Sequence, residues 1–325
     1  MILTIGNSGV YEVAAFAKVK EILQEGGEDV LLFKQDRCLE NESLAFGIEH
    51  NVPFNTITID GATYPIEDFS AIWYLHPHLP RELIDFEPKE YRHFIHRQFE
   101  EMRRALWSTF REKRWINDPW AVMAAENKAY QLHISRLVGL EVPDTIITSN
   151  PALVREFYAS HHGKIVVKTF ATSPILDKVI YTNLVSAEDL AHIDTVRSSP
   201  SIFQSYVEKQ YELRITVVGD MIFPVKVDSQ KDEATALDWR RKPKLNDVET
   251  YLEPTTIPEE IRSKLTALMH RLQLRFGCID MIVTPENRYV FLEINPNGQW
   301  YFVQLKTHVE IAEAIANLLI TSGEE

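Results

Sequence analysis

Two apolar runs near the C-terminus carry polar residues at spacings that could do chemistry. Cys278-Ile279-Asp280-Met281-Ile282-Val283-Thr284 and Tyr289-Val290-Phe291-Leu292-Glu293-Ile294-Asn295 flank Pro285-Glu286-Asn287-Arg288, whose proline and asparagine suit a turn. Pairing Thr284 with Tyr289 and counting outward sets Asp280 across from Glu293, and period-2 alternation puts Asn295 on the same face. Ile279, Met281, Val290, Leu292 and Ile294 then take the other face, toward a core. Two carboxylates opposed across a ladder repel by roughly several tenths of a kcal/mol or more. A divalent cation removes that cost, and an all-oxygen set of Asp, Glu and Asn suits Mg²⁺ or Mn²⁺. The plainer alternative is a solvated sheet face with an incidental acidic pair.

Upstream, Lys168 ends the β-branched run Ile165-Val166-Val167 and is costly to bury without an anion. Its alternative is an edge-strand lysine that snorkels to water. Lys128 opens a helix and by itself reads as an exposed lysine. Ile202-Phe203-Gln204-Ser205-Tyr206-Val207-Glu208 is a strand running into an irregular link, which leaves backbone groups free for an adenine edge. Glu212 and Arg214 share one strand face, a carboxylate for ribose hydroxyls beside a guanidinium for phosphate, or else a cross-strand salt bridge. Asp238-Trp239-Arg240-Arg241-Lys242-Pro243-Lys244 is a basic run in an acidic protein. Arg240 could hold an acceptor carboxylate there or lie in a solvated loop, and Arg241, Lys242 and Lys244 read as solvated or peptide-steering.

These residues need elements to position them. Ile2–Ile5 and Val30–Phe33 read as strands around a helix from Tyr11 to Leu23, and Ala71–Leu75 as a further strand, which predicts a small parallel sheet. A long amphipathic helix is predicted from Tyr91 to Phe110. Asp118 can cap a helix with Pro119 in its first turn. Strands are predicted at Lys164–Thr169, Val179–Thr182, Ser201–Val207, Glu212–Val218 and Met221–Val227. A helix around Pro258–Phe276 and a last one from Val309 to Leu319 bracket the acidic hairpin.

At 325 residues the chain can bury a substantial core in two or three subdomains. Its 45% apolar and 25% charged content is that of a soluble globular protein. A net charge of −13 argues against nucleic-acid partners, and no run approaches the ~20 apolar residues of a membrane helix. Two cysteines make no disulfide framework, and the expected compartment is a reducing cytoplasm.

Taken in order, these pieces resemble the ATP-grasp superfamily from about Trp115 to the C-terminus. The resemblance implies an α/β fold of α+β lobes, with an N-terminal pre-ATP-grasp βαβ domain at 1–115, a central subdomain at 116–200 and a C-terminal subdomain at 201–325. It implies ATP as cofactor with Mg²⁺, or Mn²⁺ in its place. Lys128 and Lys168 would contact phosphates, Gln204, Ser205, Tyr206 and Val207 would form the adenine hinge, and Glu212 would bind ribose. Arg214 and Lys226 would contact the triphosphate, and Asp280, Glu293 and Asn295 would hold the metal. Catalytic roles fall to Lys168, Arg214 and Arg240. One departure is the flap after the second lysine, glycine-rich in many relatives: Thr169–Lys178 contains no glycine, leaving Thr172 and Ser173 as the phosphate-contacting candidates.

A narrower resemblance covers almost the whole chain. Trp115-Ile116-Asn117-Asp118-Pro119-Trp120, Ala125-Glu126-Asn127-Lys128, Tyr211-Glu212-Leu213-Arg214-Ile215-Thr216-Val217-Val218-Gly219, Asp238-Trp239-Arg240 and Phe291-Leu292-Glu293-Ile294-Asn295-Pro296-Asn297-Gly298-Gln299-Trp300 resemble the microviridin-type, or graspetide, peptide-cyclising ligases. Asp36-Arg37 and Trp73-Tyr74 fit the same family, although His76 and His78 stand where its members tend to carry arginines. The resemblance implies phosphorylation of Asp or Glu side chains in a ribosomal precursor peptide, then attack by Ser/Thr hydroxyls or a Lys amine to close a macrocycle. The implied partner is a precursor with a leader and a Thr/Glu-rich core, with no nucleic acid, no membrane, and room for a homodimer. Such chemistry needs charge neutralisation more than a covalent nucleophile. The runner-up is an amino-acid or small-peptide ligase of the glutathione-synthetase or glutamate-ligase kind.

Overall fold

The computed structural model describes residues 1–83, 87–170, 181–233, 235–241 and 252–321. Its first strand, β1 (Ile2–Gly6), is buried along its length, as a parallel strand covered on both faces must be. Helix α1 (Val10–Glu25) turns Ala15, Phe16, Val19 and Leu23 inward at helical spacing, and β2 (Val30–Lys34) returns parallel to β1. An antiparallel sheet that the sequence left unassigned follows: β3 (Ser43–Glu49), β4 (Val52–Ile59) and β5 (Ala62–Pro65). Strand β6 (Ala71–Tyr74), helix α2 (Arg92–Thr109) and β7 (Arg114–Ile116) complete a parallel sheet of order β2-β1-β6-β7.

Asp118 caps α3 (Pro119–Ala125), accepting from the amides of Trp120 and Ala121 at 2.7 and 3.2 Å, with Pro119 at the first helical position. Asn127 caps α4 (Lys128–Leu137) in the same way. The central sheet comes next: β8 (Thr145–Thr148), α5 (Pro151–Ser160), β9 (Ile165–Thr169), β10 (Asn183–Leu184), α6 (Ala187–Ala191) and β11 (Ser201–Ser205), in the order β10-β9-β11-β8. Strand β11 is hydrogen-bonded on both sides within this sheet, so Ser201–Ser205 lies with the residues before it, across the boundary drawn at 200. Of the strand expected at Val179–Thr182, the described residues Tyr181 and Thr182 are not in a strand, and the short strand Asn183–Leu184 follows them. Val179 and Ile180 lie outside the described residues, as do Thr172, Ser173, Lys242 and Lys244.

The C-terminal sheet is β12 (Tyr211–Val218), β13 (Met221–Val227), β14 (Leu252–Pro254), β15 (Phe276–Val283) and β16 (Tyr289–Asn295), ordered β14-β13-β12-β15-β16. Helix α7 (Glu259–Arg271) precedes β15; it stops short of the expected Phe276 because Gln273 takes a left-handed φ of 56°. Helices α8 (Tyr301–Thr307) and α9 (Ile311–Ile320) close the described chain. One core unites β1, β2 and α1 with Phe276, Cys278 and α9, whereas the central sheet packs a separate small core of Val154, Ile165, Val185, Ile193, Val196 and Phe203. The N-terminal and C-terminal lobes thus form one packed unit that carries the central sheet across a cleft. Among the described residues no helix is long and apolar enough to cross a membrane, and Cys38 and Cys278 are both free.

Candidate active site

The acidic hairpin pairs Asp280 with Glu293 directly, as counted from the sequence, but by a different route. The turn pairs Val283, not Thr284, with Tyr289, and a β-bulge between Asp280 and Met281 restores the register. Leu292 is the extra residue. It therefore faces the cleft beside Glu293 instead of the core, while Phe291 and Ile294 point inward with Ile279 and Met281. The expected core placement of Leu292 is corrected accordingly, since with Ile282 it gives the cleft an apolar floor, whereas Val290, 1% exposed, is buried as expected.

Each hairpin carboxylate meets cations. Arg214 sits opposite Asp280 on β12, and its Nη1 donates to both carboxylate oxygens at 3.1 and 3.0 Å while Nη2 donates to the Gln299 carbonyl at 2.8 Å. Burial works against the Arg214 charge, but Asp280 more than offsets it and holds the guanidinium protonated. Glu293 lies 3.0 Å from Lys128 and 3.7 Å from Arg240. Burial alone would push the Glu293 carboxyl up, yet Lys128, Lys168 and Arg240 bring it down to about 2. For Lys168 the balance runs the other way, since burial depresses its proton affinity and Glu293 only partly restores it. Gly298 is required by this arrangement. A Cβ there would stand 2.5 Å from the Cys278 Cβ and 3.0 Å from Nη2 of Arg214.

Lys168, Gln204, Ser205, Tyr206, Val207, Glu212, Arg240, Asp280 and Glu293 line one cleft between the central and C-terminal sheets. Strand β11 ends at Ser205, where the Ser205 and Tyr206 amides bond to the Asp144 and Lys164 carbonyls. The Val207 peptide makes no hydrogen bond among the described residues, which leaves the donor and acceptor a purine edge requires. Lys128 and Arg214 reach the cleft through the carboxylates they hold. Asn295 lies one alternation beyond Glu293, its side chain accepting from the Asn297 amide at 3.1 Å.

Lys226 does not belong to this set. Gly219 takes a left-handed φ of 56° in the β12–β13 turn, which pairs Val218 with Met221 and Leu213 with Lys226. Lys226 therefore projects from the face opposite Glu212 and Arg214, with its ammonium 5.0 Å from the Tyr211 ring centroid. The expected triphosphate contact is withdrawn on that ground.

Several contributors were missed. Lys209 is buried, donating to Glu212 and to the Leu237 carbonyl, both at 2.9 Å. Burial raises the Glu212 carboxyl despite this partner. Asp238, also buried, binds the Arg240 guanidinium through two bonds of 2.9 Å and accepts from the Thr182 amide at 3.3 Å. Burial opposes its charge, but Arg240 lowers it to about 2. Arg241 donates to the Thr182 carbonyl and the Asn183 side chain, so this segment clasps the central sheet across the cleft. Asn117 and Gln131 fix the acidic hairpin from behind. Asn117 Nδ2 donates to the Phe276 and Pro296 carbonyls, and Gln131 exchanges hydrogen bonds with both backbone groups of Ile294. An acid two residues before an arginine was the available signal for Asp238; the long-range partners of Asn117 and Gln131 leave no local trace.

For a divalent cation the donor set fits. Asp280 and Glu293 offer oxygens from adjacent strands, with Asn295 on the same face, and hard cations take such ligands. Among the described residues no group of three or more His, Cys, Asp or Glu could hold a metal.

No protein-family model and no curated protein sequence matches the chain. Solved structures do. The RiPP-associated ATP-grasp ligase of Chryseobacterium gregarium, in complex with ADP and a leader and core peptide, is similar with a TM-score of 0.87 and 28% identity, over 98% of this chain and 96% of that one. The macrocyclase MdnC of Microcystis aeruginosa MRC, bound with precursor peptide MdnA, gives 0.85 and 27%, over 99% of both chains. The ATP-grasp ligase PsnB, complexed with a minimal precursor, Mg and ADP, gives 0.78 at 20% identity over 98% and 96%, a likeness of fold. The fold and the cleft define an ATP-grasp ligase, an ADP-forming enzyme of the α/β class. Within that superfamily the chain resembles, over nearly its full length, ligases that act in ribosomal peptide modification.

Proposed function

We propose that the protein closes rings in a ribosomally made precursor peptide, by phosphorylating Asp or Glu side chains and joining them to Ser/Thr hydroxyls as esters or to Lys amines as amides. The observation that carries this reading is the acidic pair Asp280–Glu293 held among Lys128, Lys168, Arg214 and Arg240 beside an open peptide hinge at Val207. Asp280, Glu293 and Asn295 would hold Mg²⁺, which when bound neutralises phosphate charge and orients the γ-phosphoryl group. Lys168 and Lys128 stabilise charge on the phosphates, Tyr206 and Val207 read the adenine edge, and Glu212 faces the ribose.

A side-chain carboxylate oxygen attacks the γ-phosphorus as the bond to ADP breaks, giving an acyl phosphate. A hydroxyl or amine then attacks the acyl carbon, loses its proton, and expels inorganic phosphate; the net change is one water lost per ring. Arg240, on a segment tethered to the central sheet through Asp238 and Thr182, would hold the acceptor carboxylate and follow it into the acyl phosphate. The three lobes proposed are those read from the sequence, with the second boundary moved from 200 to 205, past strand β11. The proposed partner carries a leader and a Thr/Glu-rich core, as in microviridin-type pathways of the cytoplasm, and a homodimer is part of the same proposal.

The test incubates the enzyme, ATP and Mg²⁺ with a short Thr- and Glu-rich precursor peptide, sought among the reading frames neighbouring its gene, and follows peptide mass and ADP. Loss of one water per ring supports the reading. Gain of phosphate, gain of an amino acid, or an unchanged peptide beside ADP release overturns it. Arg240→Ala should retain ADP affinity and lose dehydration; lost ADP affinity would move Arg240 to the phosphate site.

A further inference from the structure

The N-terminal lobe holds a second cavity, apart from the nucleotide cleft. It lies where the C-terminal end of β2 meets β3 and α2, walled by Leu44, Leu79, Phe99, Met102 and Leu106. Its free space of about 130 Å³ suits one aromatic ring or branched aliphatic side chain. Gln35 lines it at 4% exposure, and neither Nε2 nor Oε1 has a hydrogen-bond partner among the described residues. A buried amide with both ends unmatched calls for a ligand that brings a donor and an acceptor. Arg103 on the facing wall is already paired with an acid, donating to Glu100 at 2.5 Å and stacking 4.9 Å from the Trp107 ring centroid, while its buried Nε has no partner among the described residues.

We propose that this cavity is a subsite for one apolar side chain of a peptide, with Gln35 exchanging hydrogen bonds with the adjacent backbone amide. A primary amide presents donor and acceptor in one plane and so complements the N–H and C=O of a peptide. Apolar walls disfavour a charged side chain. Naming the occupant a peptide residue rests on the proposed function, whereas the preference for an apolar group flanked by amides rests on the cavity alone.

Met102, at the mouth and 38% exposed, reports on occupancy. The full chain, labelled with ¹³C-methyl methionine and assigned with Met102→Leu, is titrated with N-acetyl-phenylalaninamide and, separately, N-acetyl-glutamate α-amide. The phenylalanine compound should shift the Met102 signal saturably and the charged one should not. Gln35→Leu should weaken that binding about fivefold, Leu79→Lys should abolish it, and ADP affinity should stay unchanged in both. No saturable shift at Met102, an equal response to the charged compound, or unaltered binding in Leu79→Lys overturns the proposal. If Gln35→Leu does not fold, Leu79→Lys decides. A bound phenylalanine compound with no peptide dehydration keeps the subsite and overturns the ring-closing function.

Discussion

Replacing Asn117 with alanine should cost about as much as a small domain's margin of stability. The residue is 1% exposed and makes four hydrogen bonds: Nδ2 to the carbonyls of Phe276 and Pro296 at 2.9 Å each, and Oδ1 from the amides of Arg275 and Phe276 at 2.7 and 2.8 Å. Each is worth about 1 kcal/mol net, and stranding buried backbone groups costs more than the mean. The expected loss is about 4 kcal/mol, against the ~5–15 kcal/mol that holds a typical fold together. Asn117→Asp should do no better, since it keeps the acceptor half and sets a carboxylate oxygen against two carbonyls. Urea denaturation should show a lower midpoint at unchanged slope. Because Pro296 follows β16, which carries the proposed ligands Glu293 and Asn295, Mg²⁺-dependent ADP affinity should fall in the folded variant as well. A loss below about 1 kcal/mol together with normal ADP binding would refute the view that this side chain joins the N-terminal lobe to the active-site strand.

Glu293→Gln should leave the fold intact and nearly abolish ATP turnover, and wild-type turnover at ordinary Mg²⁺ would remove Glu293 from the metal site. Lys168→Ala should weaken ATP affinity or slow phosphoryl transfer at least about tenfold, which calorimetry and ADP release measure. Lys209→Met should destabilise by about 3–5 kcal/mol by leaving Glu212 buried and uncompensated, while Lys209→Met with Glu212→Gln should recover most of that in thermal melts. Burial raises the Glu42 carboxyl from 4.5 to about 7, so the native state keeps a proton that the unfolded chain releases. The associated stability is full below about pH 4.5 and lost as pH rises through 7, up to about 3 kcal/mol. Glu42→Gln should therefore raise the melting temperature relative to wild type at about pH 8 and change little near pH 4.5, and an equal shift at both would contradict the burial argument.

The acidic hairpin was legible because polar residues interrupt apolar strands at even spacing, and the hinge because a strand there runs into an irregular link. The Lys226 error was avoidable in principle. A two-residue turn at Gly219-Asp220 fixes the β12–β13 register, and counting outward from it puts Lys226 beside Leu213. Leu292 could not be placed, because a bulge is decided by how two strands twist and leaves no mark in their alternation. Lys209, Asn117 and Gln131 escaped for a related reason. Their partners are buried backbone groups or a carboxylate supplied by the folded chain, and only the assembled lobes reveal them. The β3–β5 sheet went unassigned, and its exposed strand residues Ile48, Val52 and Phe54 blur the inside-outside pattern on which such assignments depend.

Gln131 has a consequence for how a substrate can approach. Strand β16 is the outermost of its sheet, and such a border ordinarily invites another chain to pair with it. Here the Gln131 amide occupies both outward groups of Ile294, and the Glu141 carbonyl takes the Phe291 amide. A side chain and a loop thus stand in for a sixth strand along the stretch that bears Glu293. Main-chain pairing along that border is therefore closed, and under the proposed function a peptide would meet the cleft with its side-chain carboxylate instead of adding a strand.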